Sequence, residues 1–117
     1  MSIPTKFNYE TFKNEPLPGA EDWTEVAEMD DGRGDYEWTE FKAFYSPSAR
    51  RYFWHGDGGC SCNGWGDEIH SLSDFEDGDR AALLRAWKTF TEENSYDFSA
   101  ADYADGVSKI RNFKESK

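Results

Sequence analysis

Apolar residues in the C-terminal third of the chain recur at three- and four-residue steps, the spacing of one face of a helix. The pattern predicts two helices, over about residues 79–92 and 99–113. Their apolar stripes consist of Leu83, Leu84, Trp87 and Phe90 in the first and Tyr103, Val107, Ile110 and Phe113 in the second. Ser99, followed by Asp102 three residues later, is a typical N-cap for the second helix.

Upstream of the helices, β-branched and aromatic residues form short runs that are typical of strands. We predict strands over about residues 23–29, 35–46 and 50–55, joined by turns short enough for antiparallel pairing. Strict alternation places Trp38 and Phe41 on opposite faces of the second strand. Either a bulge near Thr39 and Glu40 brings them together, or both faces are partly covered. The predicted fold class is α+β, with a small antiparallel sheet of three to four strands covered by one or two C-terminal helices.

The length of 117 residues fits one domain. Three prolines and the pair Pro18-Gly19 predict an irregular N-terminal arm over residues 1–20, followed by a single α+β domain over 21–114 and a tail over 115–117. Charged residues make up 32% of the chain, which by itself favours disorder. Aromatic residues make up 17%, and their large apolar surfaces can build a core, so we expect a folded protein.

The net charge of −11, from 24 acidic and 13 basic residues, argues against direct binding of nucleic acid, whose phosphates require positive charge. No apolar run is long enough to cross a membrane. The first residues lack the apolar core of a signal peptide, so we expect a cytoplasmic protein with no membrane partner.

The acidic residues are most concentrated between positions 21 and 40. This stretch contains nine acidic residues and a single basic residue, Arg33. Such a stretch can be a solvated face that keeps a protein soluble. It can also be an electronegative surface that attracts a partner with a basic surface. The residues of this candidate acidic binding face are Glu21, Asp22, Glu25, Glu28, Asp30, Asp31, Asp35, Glu37 and Glu40.

Both cysteines and both histidines of the chain lie within sixteen residues, at His55, Cys60, Cys62 and His70. Two thiolates and two imidazoles can complete a tetrahedral zinc shell, although zinc sites usually have more than one residue between paired cysteines. A Cys60–Cys62 disulfide is a second interpretation, but a structural bridge of this kind is not expected in a cytoplasmic protein. The favoured interpretation is two small residues packed in a glycine-rich loop over residues 56–67, with no cofactor.

Two tryptophans flank this loop, Trp54 before the cysteines and Trp65 after them. Tryptophan packs in cores, but it is also among the commonest residues at the centres of binding surfaces. Trp54, Cys60, Cys62 and Trp65 are therefore the candidate binding residues of the loop. No nucleophile has an identifiable base, so we do not expect an enzyme.

The stretch Arg51-Tyr52-Phe53-Trp54, the following Gly59-Cys60-Ser61-Cys62 and the later Leu72-Ser73-Asp74-Phe75 resemble an uncharacterised family of small actinobacteriophage proteins. The resemblance covers roughly residues 22–90. Members have an aromatic strand that ends in a Gly-Cys-Ser-Cys loop and usually a proline soon after the second cysteine, where this chain has Asn63-Gly64. Histidines at positions 55 and 70 are not part of the family pattern. The resemblance implies a phage accessory protein made in the cytoplasm of an infected bacterium.

The function we expect is that of a non-enzymatic binding module, a small acidic phage protein that modulates a host protein with a basic surface. Anti-defence, anti-restriction and host takeover are the forms considered, including mimicry of DNA by carboxylates. One alternative is a small zinc-stabilised structural or regulatory domain that uses the four Cys and His residues. Another is a minor virion or assembly component.

Overall fold

The computed structural model describes residues 3–31, 36–62 and 64–115. Within these ranges the strands are β1 (Thr5–Asn8), β2 (Lys13–Pro16), β3 (Thr24–Asp30), β4 (Glu37–Ser46), β5 (Arg51–Cys60) and β6 (Glu76–Gly78), and the α-helices are α1 (Arg80–Glu93) and α2 (Ala100–Asn112). A 3₁₀ turn spans Leu72–Asp74. Strands β3 to β6 form one antiparallel sheet in chain order, and β1 pairs with β2 in a separate hairpin. The predicted α+β class is confirmed.

Strands β4 and β5 form the centre of the sheet and pair without interruption, from Glu37 opposite Cys60 to Ser46 opposite Arg51. The bulge predicted near residues 39 and 40 is therefore wrong. The register shift lies instead in β3, between Glu25 and Ala27. Unbroken alternation sends successive β4 side chains to opposite faces, and the alternative prediction, that both faces are partly covered, is confirmed.

Helices α1 and α2 cover one face of the sheet, which we call the helix face. Its core residues from the sheet are Phe41, Ala43, Tyr45, Tyr52 and Trp54, with Val26, Ala27 and Met29 from β3. Leu83, Trp87 and Ile110 meet them from the helices and are completely buried. Asp79 precedes α1 as its N-cap and accepts a hydrogen bond from the backbone N–H of Ala82 at 2.8 Å. Both helices start and end within one or two residues of the predicted bounds.

The opposite face of the sheet is covered by the N-terminal segment and by the loop that precedes β6. Trp23 stacks on Phe53 with 4.5 Å between ring centroids and contacts Phe44 and Phe75. Leu17 and Ala20 are buried in the same cluster. The predicted irregular arm is thus corrected to a hairpin and a packed segment, because the apolar side chains on this face need cover.

The C-terminal boundary of the domain lies beyond the predicted residue 114. The hydroxyl of Tyr52 donates a hydrogen bond to Glu115 at 2.7 Å, and the guanidinium of Arg80 lies 2.9 Å from the same carboxylate. Glu115 thus belongs to the domain rather than to the predicted tail, while residues 116 and 117 lie outside the described ranges. No helix in the described part of the chain is long and apolar enough to cross a membrane.

Candidate functional site

Three carboxylates lie side by side on the face of the sheet opposite the helices. Asp30 on β3 pairs with Glu40 on β4, and Glu40 pairs with Asp57 on β5, so the three point to the same face. We call them the carboxylate row. Like charges directly opposite each other destabilise a sheet. We therefore expect repulsion within the row to oppose folding, offset in part by the contacts of Glu40 with Lys42 and of Asp57 with His55.

The neighbouring row of the same face holds Glu28, Lys42 and His55. The ammonium of Lys42 lies 3.8 Å from the carboxylate of Glu28 and 3.7 Å from that of Glu40, so one positive charge is shared between two negative ones. Partial burial, together with the charge of Asp30, raises the pKa of Glu40 above its usual range. Lys42 therefore offsets part of the negative charge of Glu28 and Glu40.

Aromatic and imidazole rings border the two rows. Nε2 of His55 lies 3.3 Å from Oδ2 of Asp57. The indole N–H of Trp65 donates to the backbone oxygen of His55 at 2.9 Å, and the ammonium of Lys42 lies 4.8 Å from the centroid of the Trp65 ring. These contacts fix Trp65, which is only half-buried, at the edge of the acidic surface.

A cleft of about 550 Å³ lies beyond Trp65, between this face and the β1–β2 hairpin. Residues lining it include Phe7, Tyr9, Lys42, Phe44, Trp65 and Ile69. The ammonium of Lys6 donates to the backbone oxygens of Gly66 and Asp67 at 3.3 and 3.4 Å, and so ties the hairpin to the loop. Phe7 and Tyr9 contact each other edge to face at 4.9 Å, and both are exposed on the hairpin.

The residues of the predicted acidic binding face do not all lie on one surface of the structure. Glu25, Glu28, Asp30 and Glu40 share the face opposite the helices. Partial burial, together with the charge of Glu28, raises the pKa of Glu25. The missed members of the site are Asp57 and Lys42, which only the strand register could have placed beside Glu40.

The remaining predicted acids lie elsewhere. Glu21 accepts the backbone N–H of Gly19 at 2.9 Å, and Asp22 accepts that of Ser48 at 3.1 Å, so both stabilise turns. Asp31 follows β3, and Glu37 begins β4 on the helix face. Asp35 lies outside the described residues.

Cys60 and Cys62 are joined by a disulfide, and both residues are exposed. Cys60 is the last residue of β5, so residues 56–60 belong to the strand and the predicted loop begins later. Gly56 is explained by packing: a Cβ atom there would lie 2.6 Å from the ring of Phe90 on α1. The interpretation of the cysteines as two packed small residues is thus corrected to a disulfide at the end of a strand.

The zinc site predicted from His55, Cys60, Cys62 and His70 is not assembled. The two sulfur atoms are bonded to each other and cannot serve as thiolate ligands. His70 lies in the loop before the 3₁₀ turn, where its backbone N–H donates to Asp74 at 2.8 Å. Across the described ranges, no group of three or more His, Cys, Asp or Glu side chains is placed to hold a metal ion.

The two candidate tryptophans differ in position. Trp54 is 4% exposed on the helix face, where its ring lies close to Gly78. The prediction that Trp54 contacts a partner is therefore wrong, because the helices cover it. Trp65 stays accessible at the edge of the cleft.

The sequence model of one protein family matches residues 14–117, a range that begins in β2 and extends through both helices. The chain belongs to this family, which is described as a domain of unknown function (DUF7574). The DUF7574 match contains the carboxylate row and the disulfide, whereas β1, with Lys6 and Phe7 of the cleft, precedes it. Comparisons with curated proteins and with solved structures found no match.

Proposed function

We propose that this protein is a non-enzymatic binding module whose carboxylate row binds a basic surface on a partner protein. The observation that supports this proposal most directly is the placement of Asp30, Glu40 and Asp57 opposite one another on three adjacent strands. A lysine or arginine side chain of the partner relieves the repulsion within the row. The net charge of −11 adds attraction at longer range and accelerates association.

The raised pKa of Glu40 makes the affinity of the proposed interaction depend on pH. A positive charge placed beside Glu40 favours the ionised form of its carboxyl group and thereby lowers its pKa. Binding is therefore strongest above this raised pKa, and it weakens as the pH falls through it.

Trp65 supplies a second feature for recognition. Its half-buried ring contacts Lys42 and His55, which lie in the row of residues next to the carboxylate row. An arginine side chain pairs with carboxylates through two parallel hydrogen bonds and also stacks on aromatic rings. This combination favours a partner surface rich in arginine over one rich in lysine.

The resemblance of the stretch around Cys60 and Cys62 to small actinobacteriophage proteins supports a role in an infected bacterium. The partner is then a host protein that acts in defence, restriction or transcription. If the partner's basic surface normally binds DNA, the protein acts as a DNA mimic, and double-stranded DNA then competes with it for the partner.

The test begins with affinity capture from bacterial lysate at low and high salt, followed by purification of the captured protein. Direct binding is then measured for the wild type, for the double variant Glu40→Gln/Asp57→Asn and for the control Glu92→Gln/Glu93→Gln. The control removes the same charge from exposed positions on α1, away from the row.

We expect the row variant to bind about tenfold more weakly, which corresponds to about 1.4 kcal/mol, and the control to bind within about twofold of the wild type. Wild-type binding should also weaken with added salt. Equal losses in the two variants, or affinity that does not respond to salt, would contradict the proposal. Competition by double-stranded DNA identifies the mimicry form.

A further inference from the structure

The Cys60–Cys62 disulfide contributes little to holding the fold together. It closes a loop in which Ser61 is the only intervening residue, and the stabilisation that a disulfide gives through the unfolded state grows with loop length. Both cysteines lie at one end of β5, one as its last residue and one in the turn that follows. The bond therefore connects no separate elements of the structure.

The disulfide is also accessible. Exchange requires a thiolate to reach one of the two sulfur atoms, and both cysteines are exposed. Accessible disulfides that tie no elements together are suited to reversible chemistry rather than to stabilisation.

The structure holds Cys60 in place independently of the bond. Its backbone pairs with Glu37 in the β4–β5 ladder, and the indole N–H of Trp38 donates to its carbonyl oxygen at 2.8 Å. Opening the disulfide therefore leaves Cys60 at the strand end and releases only the turn that carries Cys62. We therefore expect the oxidised and the reduced protein to share one fold.

From these observations we propose that Cys60 and Cys62 form a redox-active pair that undergoes reversible exchange with thiols. The thiolate of a reductant attacks one sulfur, the Cys60–Cys62 bond breaks, and its electron pair leaves on the other cysteine, which takes up a proton. A second thiolate attacks the reductant's sulfur in this mixed disulfide, the bond to the protein breaks, and its electron pair leaves on the attacked cysteine, which takes up a second proton while the two reductant thiols depart as a disulfide. Two electrons pass from two thiols to the protein, and the reverse sequence oxidises a dithiol.

The first experiment equilibrates the purified full chain in buffers of graded reduced-to-oxidised glutathione ratio. Samples are quenched in acid and alkylated, and free thiols are counted by mass. We expect disulfide and dithiol forms to interconvert reversibly across the series. Tryptophan fluorescence should follow the same midpoint, and the Trp38→Phe variant should lose most of that change.

Two cysteine variants separate a redox role from a structural one. Cys62→Ser should form a mixed disulfide with glutathione at Cys60. The double variant Cys60→Ser/Cys62→Ser should keep a thermal midpoint within about 2 °C of the oxidised wild type, because the bond closes a loop of only three residues and constrains the unfolded chain little. It should also bind the captured partner with the affinity of the wild type. The redox proposal and the proposed binding function are therefore tested by different variants, and one can be wrong while the other is right.

A parallel arm with a reduced protein dithiol, bacterial thioredoxin, identifies the source of electrons. Reduction by micromolar thioredoxin but not by millimolar glutathione assigns a protein dithiol, and the opposite result assigns a small thiol. The proposal is overturned if the cysteines stay reduced in oxidised glutathione. It is also overturned if the bond resists both reductants, or if the double serine variant loses its fold.

Discussion

The indole ring of Trp87 on α1 lies directly against Gly106 on α2. A Cβ atom added at residue 106 would come within 1.7 Å of Cζ2 of that ring. Trp87 is completely buried, and its Nε1 donates to the backbone oxygen of Tyr103 at 3.1 Å, so the ring cannot move aside without losing a hydrogen bond. The glycine lets the two helices approach each other at this point.

The substitution Gly106→Ala should therefore destabilise the protein. Alanine gains about 1 kcal/mol of helix propensity over glycine, but overpacking against a buried ring typically costs about 1–3 kcal/mol and more where the neighbour cannot move. We expect a net loss of about 2 kcal/mol in urea unfolding. Gly64→Ala is the control, because a Cβ atom there lies more than 4 Å from the other described residues that could obstruct it, and it should stay within about 0.5 kcal/mol of the wild type.

The contact between Tyr52 and Glu115 can be measured with a double-mutant cycle. The hydrogen bond from Tyr52 and the charge of Arg80 lower the pKa of Glu115. We expect Tyr52→Phe and Glu115→Gln to show a coupling energy of about 1 kcal/mol at pH 7. Because the pKa of Glu115 is lowered, this contribution is present above the ordinary glutamate pKa of about 4.3 and is lost as the pH falls through the lower value.

The control for this cycle pairs Tyr45→Phe with Glu115→Gln. Tyr45 contacts the ring of Tyr52, and the hydrogen bond to Glu115 comes from Tyr52. The control pair should therefore be close to additive. Coupling of equal size in both pairs would mean that the cycle reports general packing and not this hydrogen bond.

Asp74 stabilises the turn before β6 and should make stability depend on pH. Its carboxylate accepts backbone N–H groups of His70 and Ser71 at 2.8 and 3.1 Å, and these bonds lower its pKa. The stabilisation is present above the ordinary aspartate pKa of about 3.9 and disappears as the pH falls through the lowered value. Asp74→Asn should lower the thermal midpoint at pH 7, and the difference should shrink in acid.

The matched variant for Asp74 is Glu76→Gln, which removes an exposed carboxylate two residues away. We expect its thermal midpoint to follow that of the wild type at every pH. A pH profile for Asp74→Asn that runs parallel to the wild type would show that the carboxylate does not act through ionised hydrogen bonds.

The carboxylate of Glu40 should affect stability in the opposite direction from that of Asp74. Its pKa is raised, so its ionised form destabilises the folded state above that pKa, and the penalty vanishes below the ordinary glutamate value. Because the side chain is partly exposed, solvent screening reduces the effect, and we expect Glu40→Gln to stabilise the protein by about 0.5 kcal/mol at pH 7. Chemical denaturation at pH 7 and in acid measures this difference.

A variant that gains stability while losing affinity for the captured partner is the signature of a residue retained for binding. If Glu40→Gln is instead less stable than the wild type at pH 7, the contact with Lys42 outweighs the repulsion, and the row does not carry the stability cost assigned to it.

The helices were predictable because their signals are local. The three- and four-residue spacing of apolar residues and the Ser99 cap depend on neighbours within one or two turns. The extension of β5 to Cys60 was not predictable, since Gly56 and Gly58 are typical of a loop. The reason for Gly56 is the ring of Phe90, which comes from a helix more than thirty residues away.

The site was predicted only in part, for a related reason. Glu28, Asp30 and Glu40 belong to the acidic stretch that the sequence shows, but Asp57 joins them only through the β4–β5 register. A shift of one residue in that register would turn Asp57 to the helix face. The disulfide was not predicted, because a structural bridge is not expected in a cytoplasmic protein, which is the location inferred from the sequence.

The order of the elements along the chain has a consequence for biosynthesis. Strands β3 to β6 all precede Arg80, so the sheet can pair during synthesis before either helix is available to cover Phe41, Tyr45 and Trp54. During that interval the nascent protein presents a broad aromatic surface, which is the kind of surface that chaperones bind and that drives aggregation. Fragments that stop before α1 should consequently accumulate in inclusion bodies, although they contain strands β1 to β6.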